Sequence, residues 1–402
     1  MMTSIFVLGY AFGPLFLGPL SEMYGRVRVL QLANLWYAAW NLGCGFAQNK
    51  TQLIVFRLMA GLGGSAPLSI GGGLIGDTWR TEERGKAIAL YSLAPLLGPS
   101  IGPLIGAWIT QRTTWRWVFW STTMFDGLIQ MLGVLYLQET FAPVLLERKA
   151  QRIRKNADPE KPETREIRTI FDGEDRHWKN ILKNALYRPW KMFFLEPIIQ
   201  LMGVYMAFIY GLMYLYLNTI PSIYQGVYHE STGIAGLHYL AFGIGLTGAS
   251  QLNARYMDKV YVYCRKRNGG VGRPEFRLPA MVPGTWILPI GLLLSGWTAR
   301  ASIHWIAPDI GMALVAGGMI LNFQCIQTYV IDTFTFHAAS VTFWRSLAAF
   351  GFPLFAPAMY KALGFGKGDT ILAVVAVVIG CPAPFFFWKY GERIRAASKY
   401  AS

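Results

Sequence analysis

Long apolar stretches recur along almost the whole chain, and they restrict its fold more than any other feature. A helix of roughly 18 to 25 residues crosses the ~30 Å hydrocarbon layer, where a helix or a closed barrel must satisfy all backbone polar groups internally. Stretches of that size lie at 3–20, 29–48, 53–76, 87–110, 116–138, 193–217, 233–253, 278–299, 305–331, 338–360 and 371–389. They predict an all-α membrane protein with about 11 transmembrane helices. Only 15% of the 402 residues are charged and 53% are hydrophobic, whereas a soluble domain carries about 25% charged residues. Gly and Pro inside the stretches do not argue against helices, because membrane helices tolerate both and use Gly for close packing.

Charge fixes the sidedness. A net charge of +15 would point to nucleic acid in a soluble protein. Here the basic residues gather between the apolar stretches, so membrane topology accounts for them and no nucleic-acid partner is expected. Of 37 Lys and Arg, 29 fall in one alternate set of connections and 6 in the other. The richer set is cytoplasmic by the positive-inside rule. Met1 is then expected outside and Ser402 in the cytosol, with five helices before a long basic loop and six after it. The expected organisation is an N-terminal bundle at 1–138, a cytoplasmic linker at 139–192 and a C-terminal bundle at 193–402. An even 6 + 6 arrangement needs one more helix at the front, so the first helix is expected to be missing. The opening MMTSIFVLGY lacks a basic leader and a small-residue cleavage site, which argues against a signal peptide. The linker mixes thirteen basic and nine acidic residues and reads as solvated chain with a surface helix. Asn49-Lys50-Thr51 forms a glycosylation sequon too close to the membrane for ready use.

Three local patterns carry a mechanism. Between the first two spans run Gly18, Glu22, Gly25, Arg26 and Arg28. Gly25 permits a tight turn. Glu22 can pair with an Arg or face a helix N-terminus, and the two Arg hold the loop in the cytosol. An ordinary loop with stop-transfer charges is the alternative. Arg57 lies near the outer end of the third span; a cation at a span centre costs about 2.5–3.5 kcal/mol. It either snorkels as an anchor or tunes proton binding on a neighbouring acid. In the fourth span Gly98, Gly102 and Gly106 recur at i, i+4 and i+8 beside Pro99 and Pro103. That spacing makes a smooth face for close helix contact, while the prolines bend the helix.

These patterns resemble, in order, the loop signature of the major facilitator superfamily, its motif with Arg in the fourth helix, and the G-P-x-x-G-[GP] motif of its drug antiporters. The chain is similar over nearly its whole length to the fungal twelve-spanner drug:proton antiporters of that superfamily. Matching pieces include Gly76-Asp77, Glu139-Thr140-Phe141-Ala142-Pro143 and Arg273-Pro274-Glu275-Phe276-Arg277. The resemblance implies the major facilitator fold, two pseudo-symmetric bundles (5 + 6 here), working as a monomer in the plasma membrane. It implies proton-coupled efflux of hydrophobic drugs, toxins or secondary metabolites, with Arg57 serving proton coupling. Gln138-Glu139-Thr140-Phe141 stands where sugar porters carry a P-E-S-P-R-like run, which argues against sugar transport. Departures are the absent first helix, about four residues lost before Arg345, and Gly366-Lys367-Gly368-Asp369 in place of a G-W-G-N-like run. They motivate an alternative, a truncated, non-transporting remnant or membrane interaction protein.

Asp126 is an intramembrane carboxylate, either a proton carrier or a partner of a neighbouring polar group. Asn34 and Asn41, seven apart, share a helix face. Asn322 and Gln327 give the ninth span polar character. With Tyr91 and Tyr205 they are candidates for lining a cavity for small hydrophobic substrates, including flat cations, although such aromatics more often pack helices. No P-loop, paired metal spacing or G-x-S-x-G elbow is present. The expected partners are a small hydrophobic substrate, protons and membrane lipid, with no cofactor and no enzymatic role. The scattered Cys44, Cys264, Cys325 and Cys381 form no disulfide framework.

Overall fold

The computed structural model describes residues 2–79, 84–156, 169–170, 186–187, 190–191, 194–333 and 338–396. Among them there is no strand. Arg80 and most of the central linker, including 157–168 and 171–185, lie outside the described residues, as do 334–337 beside the shortened segment. In chain order the helices are α1 (Met2–Tyr24), α2 (Arg26–Phe46), α3 (Lys50–Gly64), α4 (Ala66–Thr78), α5 (Arg84–Arg112), α6 (Trp115–Tyr136) and α7 (Ala142–Asn156). They continue with α8 (Pro197–Tyr224), α9 (Thr232–Leu237), α10 (Tyr239–Arg267), a short 3₁₀ helix (Pro274–Met281), α11 (Val282–Thr298), α12 (Ile306–Thr333), α13 (Ala338–Gly380) and α14 (Pro382–Ala396).

Eight helical segments among the described residues are long and apolar enough to cross a membrane. The last, Phe343–Ala396, has 54 residues, enough for two passages. Its division falls at Gly364, whose φ of 74° breaks the helix, and glycine reaches that region without a Cβ penalty. Helices α2 and α10 complete the eleven expected stretches but fall short on hydropathy. The reason is visible in their contacts. Asn34 of α2 donates to Gln130 of α6 at 2.9 Å, and Asn253 of α10 donates to Gln324 of α12 at 3.0 Å. Polar groups satisfied between helices cost far less than the same groups facing lipid, so a hydropathy sum undervalues both helices.

The chain divides into two compact units. The larger comprises Met1–Leu8, Leu93–Val118 and Pro189–Ser402, and the smaller comprises Gly9–Ser92 and Phe119–Arg188. Most of α5 therefore groups with the C-terminal helices. The core of the larger unit is apolar and aromatic, with Tyr205, Tyr216, Phe242, Leu288, Leu292 and Met312 all buried. Helices α11 and α12 pack closely, and a Cβ on Gly291 or Gly318 would fall 2.6 Å from a backbone nitrogen of the facing helix. In the smaller unit α1 lies against α3 with equal intimacy, since a Cβ on Gly9 would sit 2.6–2.7 Å from the Gly61 backbone. Small residues let these backbones approach, and dispersion with interhelical hydrogen bonds then replaces the hydrophobic effect that lipid removes.

Asn49 of the sequon accepts a 2.8 Å bond from the Gln52 N–H and thereby caps α3. The surface helix expected in the linker is α7, in which Pro143 and Ala150 are the two buried residues among those described.

Candidate functional site

In the smaller unit the α1–α2 turn is built on Gly25, with φ 102° and ψ 149°. A Cβ there would be strained by φ alone and would also strike the Glu139 carboxylate. The Glu139 Oε1 accepts the Arg26 backbone N–H at 2.9 Å, so it neutralises the first orphan donor of α2. The same oxygen accepts from the N–H groups of Thr140 at 3.1 Å and Phe141 at 3.2 Å. The Arg26 side chain is ion-paired to Asp77 at the end of α4, and its guanidinium lies 5.0 Å from the Phe141 ring centroid. Arg26 thus fastens α2, α4 and the start of α7 together. Glu22 and Arg28 are exposed, and a Cβ on Gly18 would meet nothing within 4 Å. Of the five loop residues singled out in the sequence, Gly25 and Arg26 enter the cluster. Its acids are Asp77 and Glu139, which sequence reading had only as matching pieces.

A polar seam runs between α2, α3 and α6. Asn41 is buried and donates to the Phe119 carbonyl at 3.1 Å and to the Thr122 and Thr123 hydroxyls at 2.9 Å each. Asn34 serves Gln130 at 2.9 Å and lies beside Asp126. The two Asn do share a face, and that face is spent on α6. The Arg57 guanidinium covers the Phe119 ring at 4.4 Å and has Tyr37, Cys44 and Tyr10 within electrostatic reach. Tyr37 lies within reach of both Arg57 and Asp126. Asp126 Oδ2 is buried and accepts no hydrogen bond. The two residues assigned to proton coupling therefore lie in the electrostatic surroundings of one tyrosine.

In the larger unit α5 turns a different face inward from the one its glycines predict. A Cβ on Gly98 or Gly102 would meet nothing within 4 Å, and one on Gly106 only Val118 at 3.7 Å. The close contacts come from Ser100 against Gly243 and Ala107 against Gly236, where the partner supplies the glycine. The Gly233 N–H donates to Gln111 Oε1 at 2.5 Å. Pro103 and Gly106 border a cavity of about 190 Å³ shared with Pro221, Thr232 and Tyr239.

Two polar clusters in this unit escaped the sequence. His238 is 6% exposed and has a carboxylate on each ring nitrogen. Its Nδ1 lies 2.8 and 3.0 Å from the Asp309 oxygens, and its Nε2 lies 2.9 Å from Glu230 Oε2. Tyr224 donates to Asp309 at 2.6 Å and stacks on the imidazole at 3.5 Å. Each N···O contact needs a hydrogen, and a neutral imidazole has one N–H. A neutral His238 therefore donates to one of the two carboxylates, and only an added proton serves both. In the second cluster Asp369, 3% exposed, accepts from Tyr216 at 2.8 Å, Ser295 at 3.2 Å and Tyr360 at 2.5 Å. It belongs to the run that departs from the family pattern.

The remaining candidates are dispersed. Tyr91 donates to the Pro67 carbonyl of α4. Tyr205 is 1% exposed in the core of the larger unit. Asn322 is buried and donates to its own helix at Gly318, 2.7 Å away. Gln327 is exposed. Among the described residues no group of three His, Cys, Asp or Glu side chains could hold a metal ion.

Comparison with known proteins fits this architecture. The family model described as Major Facilitator Superfamily matches residues 1–357. The efflux pump vrtL of Penicillium aethiopicum is 48% identical over 403 residues, covering 99% of this chain and 78% of that protein. The probable efflux pump mfs2 of Aspergillus flavus is 38% identical over 400 residues, covering 98% and 93%. A partially occluded, inward-open structure of the E. coli xylose transporter XylE aligns with a TM-score of 0.69 over 97% of this chain and 86% of that one, at 16% identity. That likeness speaks to the fold alone. With near-complete coverage by fungal relatives and a family model over most of its length, the chain is a multi-pass membrane transporter of the major facilitator superfamily.

Proposed function

We propose that the chain is a proton-coupled exporter of small hydrophobic compounds, working by alternating access as a monomer in the plasma membrane. Relatives named as efflux pumps support the export direction, and the run Gly98, Pro99, Gly102, Pro103, Gly106 supports antiport. The observation that carries the coupling is Asp126, a carboxylate within the membrane with one buried oxygen that accepts no hydrogen bond. Carboxylates inside a membrane mark proton relays and ion pathways, which suits Asp126 to taking up and releasing a proton. A potential of ~100 mV contributes about 2.3 kcal/mol per charge moved, enough for one proton to concentrate a neutral solute tens of fold. Arg57 supplies the cation of the same seam, and Gly25 with Arg26 fixes the loop about which the conformations interchange.

Asp126→Asn tests this. Accumulation driven by an imposed pH gradient should fall at least about ten-fold while the protein still elutes as a folded monomer, and Asp126→Glu should recover part of it. Full gradient-driven transport in the Asn variant would remove Asp126 from the coupling. A second expectation concerns the His238 trio. His238→Gln should flatten the dependence of export on pH between about 5 and 8, because histidine is the side chain that changes charge there. An unchanged pH profile would leave the trio a structural fastening of α9 to α12.

A further inference from the structure

Arg345 of α13 is buried, at 9% exposure. Its guanidinium lies 4.7 Å from the Tyr210 ring centroid of α8 and 5.3 Å from the Phe323 ring centroid of α12. Those two rings are themselves stacked, 5.8 Å apart at 23°. Its Nε is buried and makes no hydrogen bond. Among the described residues no carboxylate is ion-paired to Arg345. Three other arginines of the same unit are ion-paired: Arg277 meets Asp332, Arg395 meets Glu275 and Arg273 meets Glu392. All three are more exposed than Arg345, with side-chain exposures of 21%, 23% and 39%.

The asymmetry has chemical content. A guanidinium is planar, stays charged, and stacks its faces on aromatic rings. Its N–H groups point outward in its own plane, and a ring face accepts none of them. The rings therefore offset part of the charge burial while leaving the buried Nε unserved. Buried charges in membrane proteins are paired or functional. The group that completes such an edge is a planar anion, bound as a two-pronged fork. Flanking rings add stacking surface for an aromatic body attached to that anion.

We propose that Arg345, Tyr210 and Phe323 form a binding site for the anionic end of an aromatic substrate, a carboxylate or an acidic phenol. This reverses the expectation of hydrophobic cations, which a buried unpaired guanidinium would repel. The site rests on the export reading only in making the bound molecule cargo.

The test is equilibrium binding to the full chain in lipid nanodiscs with three probes on one scaffold: 2-naphthoate, methyl 2-naphthoate and 2-naphthylmethylammonium. The acid should bind at least about ten-fold more tightly than the ester or the ammonium. Arg345→Gln should bring acid and ester to within about two-fold of each other. Arg345→Lys should keep part of the preference, because it keeps the charge and loses the fork. Phe323→Leu should weaken acid and ester alike. If Arg345→Gln aggregates, Arg345→Lys decides: an unweakened acid overturns the site. Failure of the acid to bind, equal binding of the ester, or an acid preference that survives Arg345→Gln overturns it too. None of these measurements uses a proton gradient, so acid binding without proton-driven export would remove the export reading and leave this site standing.

Discussion

Gly318→Val should leave little folded protein. Helices α11 and α12 interlock through Gly284 and Gly291 on one side and Gly311 and Gly318 on the other, each pair seven residues apart. A Cβ on Gly318 would lie 2.6 Å from the Leu288 nitrogen and 2.8 Å from its Cα. Backbone cannot rotate away as a side-chain tip can, so the helices must separate. Overpacking costs roughly 1–3 kcal/mol in a soluble core. Here the loss should be larger, because separating the pair also forfeits contacts along both helices. The check is the monomer peak of detergent-solubilised protein and its thermal unfolding. Gly351→Val on α13, where a Cβ would meet nothing within 4 Å, is the matched control and should keep its peak. An intact Gly318→Val would show that the pair has slack that its spacing denies.

The second large effect concerns the Arg26 cluster. Asp77→Asn removes the counter-charge of a guanidinium whose side chain is only 14% exposed. Breaking one partner of a buried pair costs about 3–5 kcal/mol when burial is complete; partial exposure here reduces that to roughly 1–3 kcal/mol. Glu139→Gln weakens a carboxylate that serves three backbone N–H groups, and a lost cap costs about 1 kcal/mol. Both variants should fold and transport at a tenth of the parental rate or less. Because the two acids share Arg26, the double variant should lose less than the sum of the singles. Full additivity, or transport near the parental rate, would make the cluster incidental.

Much of this was legible along the chain. The spans follow from hydropathy, Gly25 from its turn, and the Asn34–Asn41 face from helical period. What was not legible shares one physical trait. Glu139 reaches Arg26 across 113 residues, and Asp309 reaches His238 across 71. Neither partnership leaves a periodic or local signal. The loop acid chosen from sequence, Glu22, is exposed because the turn carries it away from the cluster. The glycines of α5 announced a smooth face, yet small residues permit contact without compelling it, and the neighbouring face of Ser100 and Ala107 is used instead. Asp369 was noticed only as a departure from pattern, and three hydroxyls around it give the departure a role.

The central claim is that proton movement drives export, and inside-out membrane vesicles with an acidified lumen test it most directly. The measurement is uptake of radiolabelled 2-naphthoate and of tetraphenylphosphonium, with and without a protonophore. Passive distribution excludes the weak acid from an acidic lumen, so its accumulation there cannot be leakage. Protein-dependent accumulation of either probe that a protonophore abolishes, and that Asp126→Asn lacks, is the predicted result. Accumulation indifferent to the protonophore, or none beyond vesicles without the protein, would contradict it.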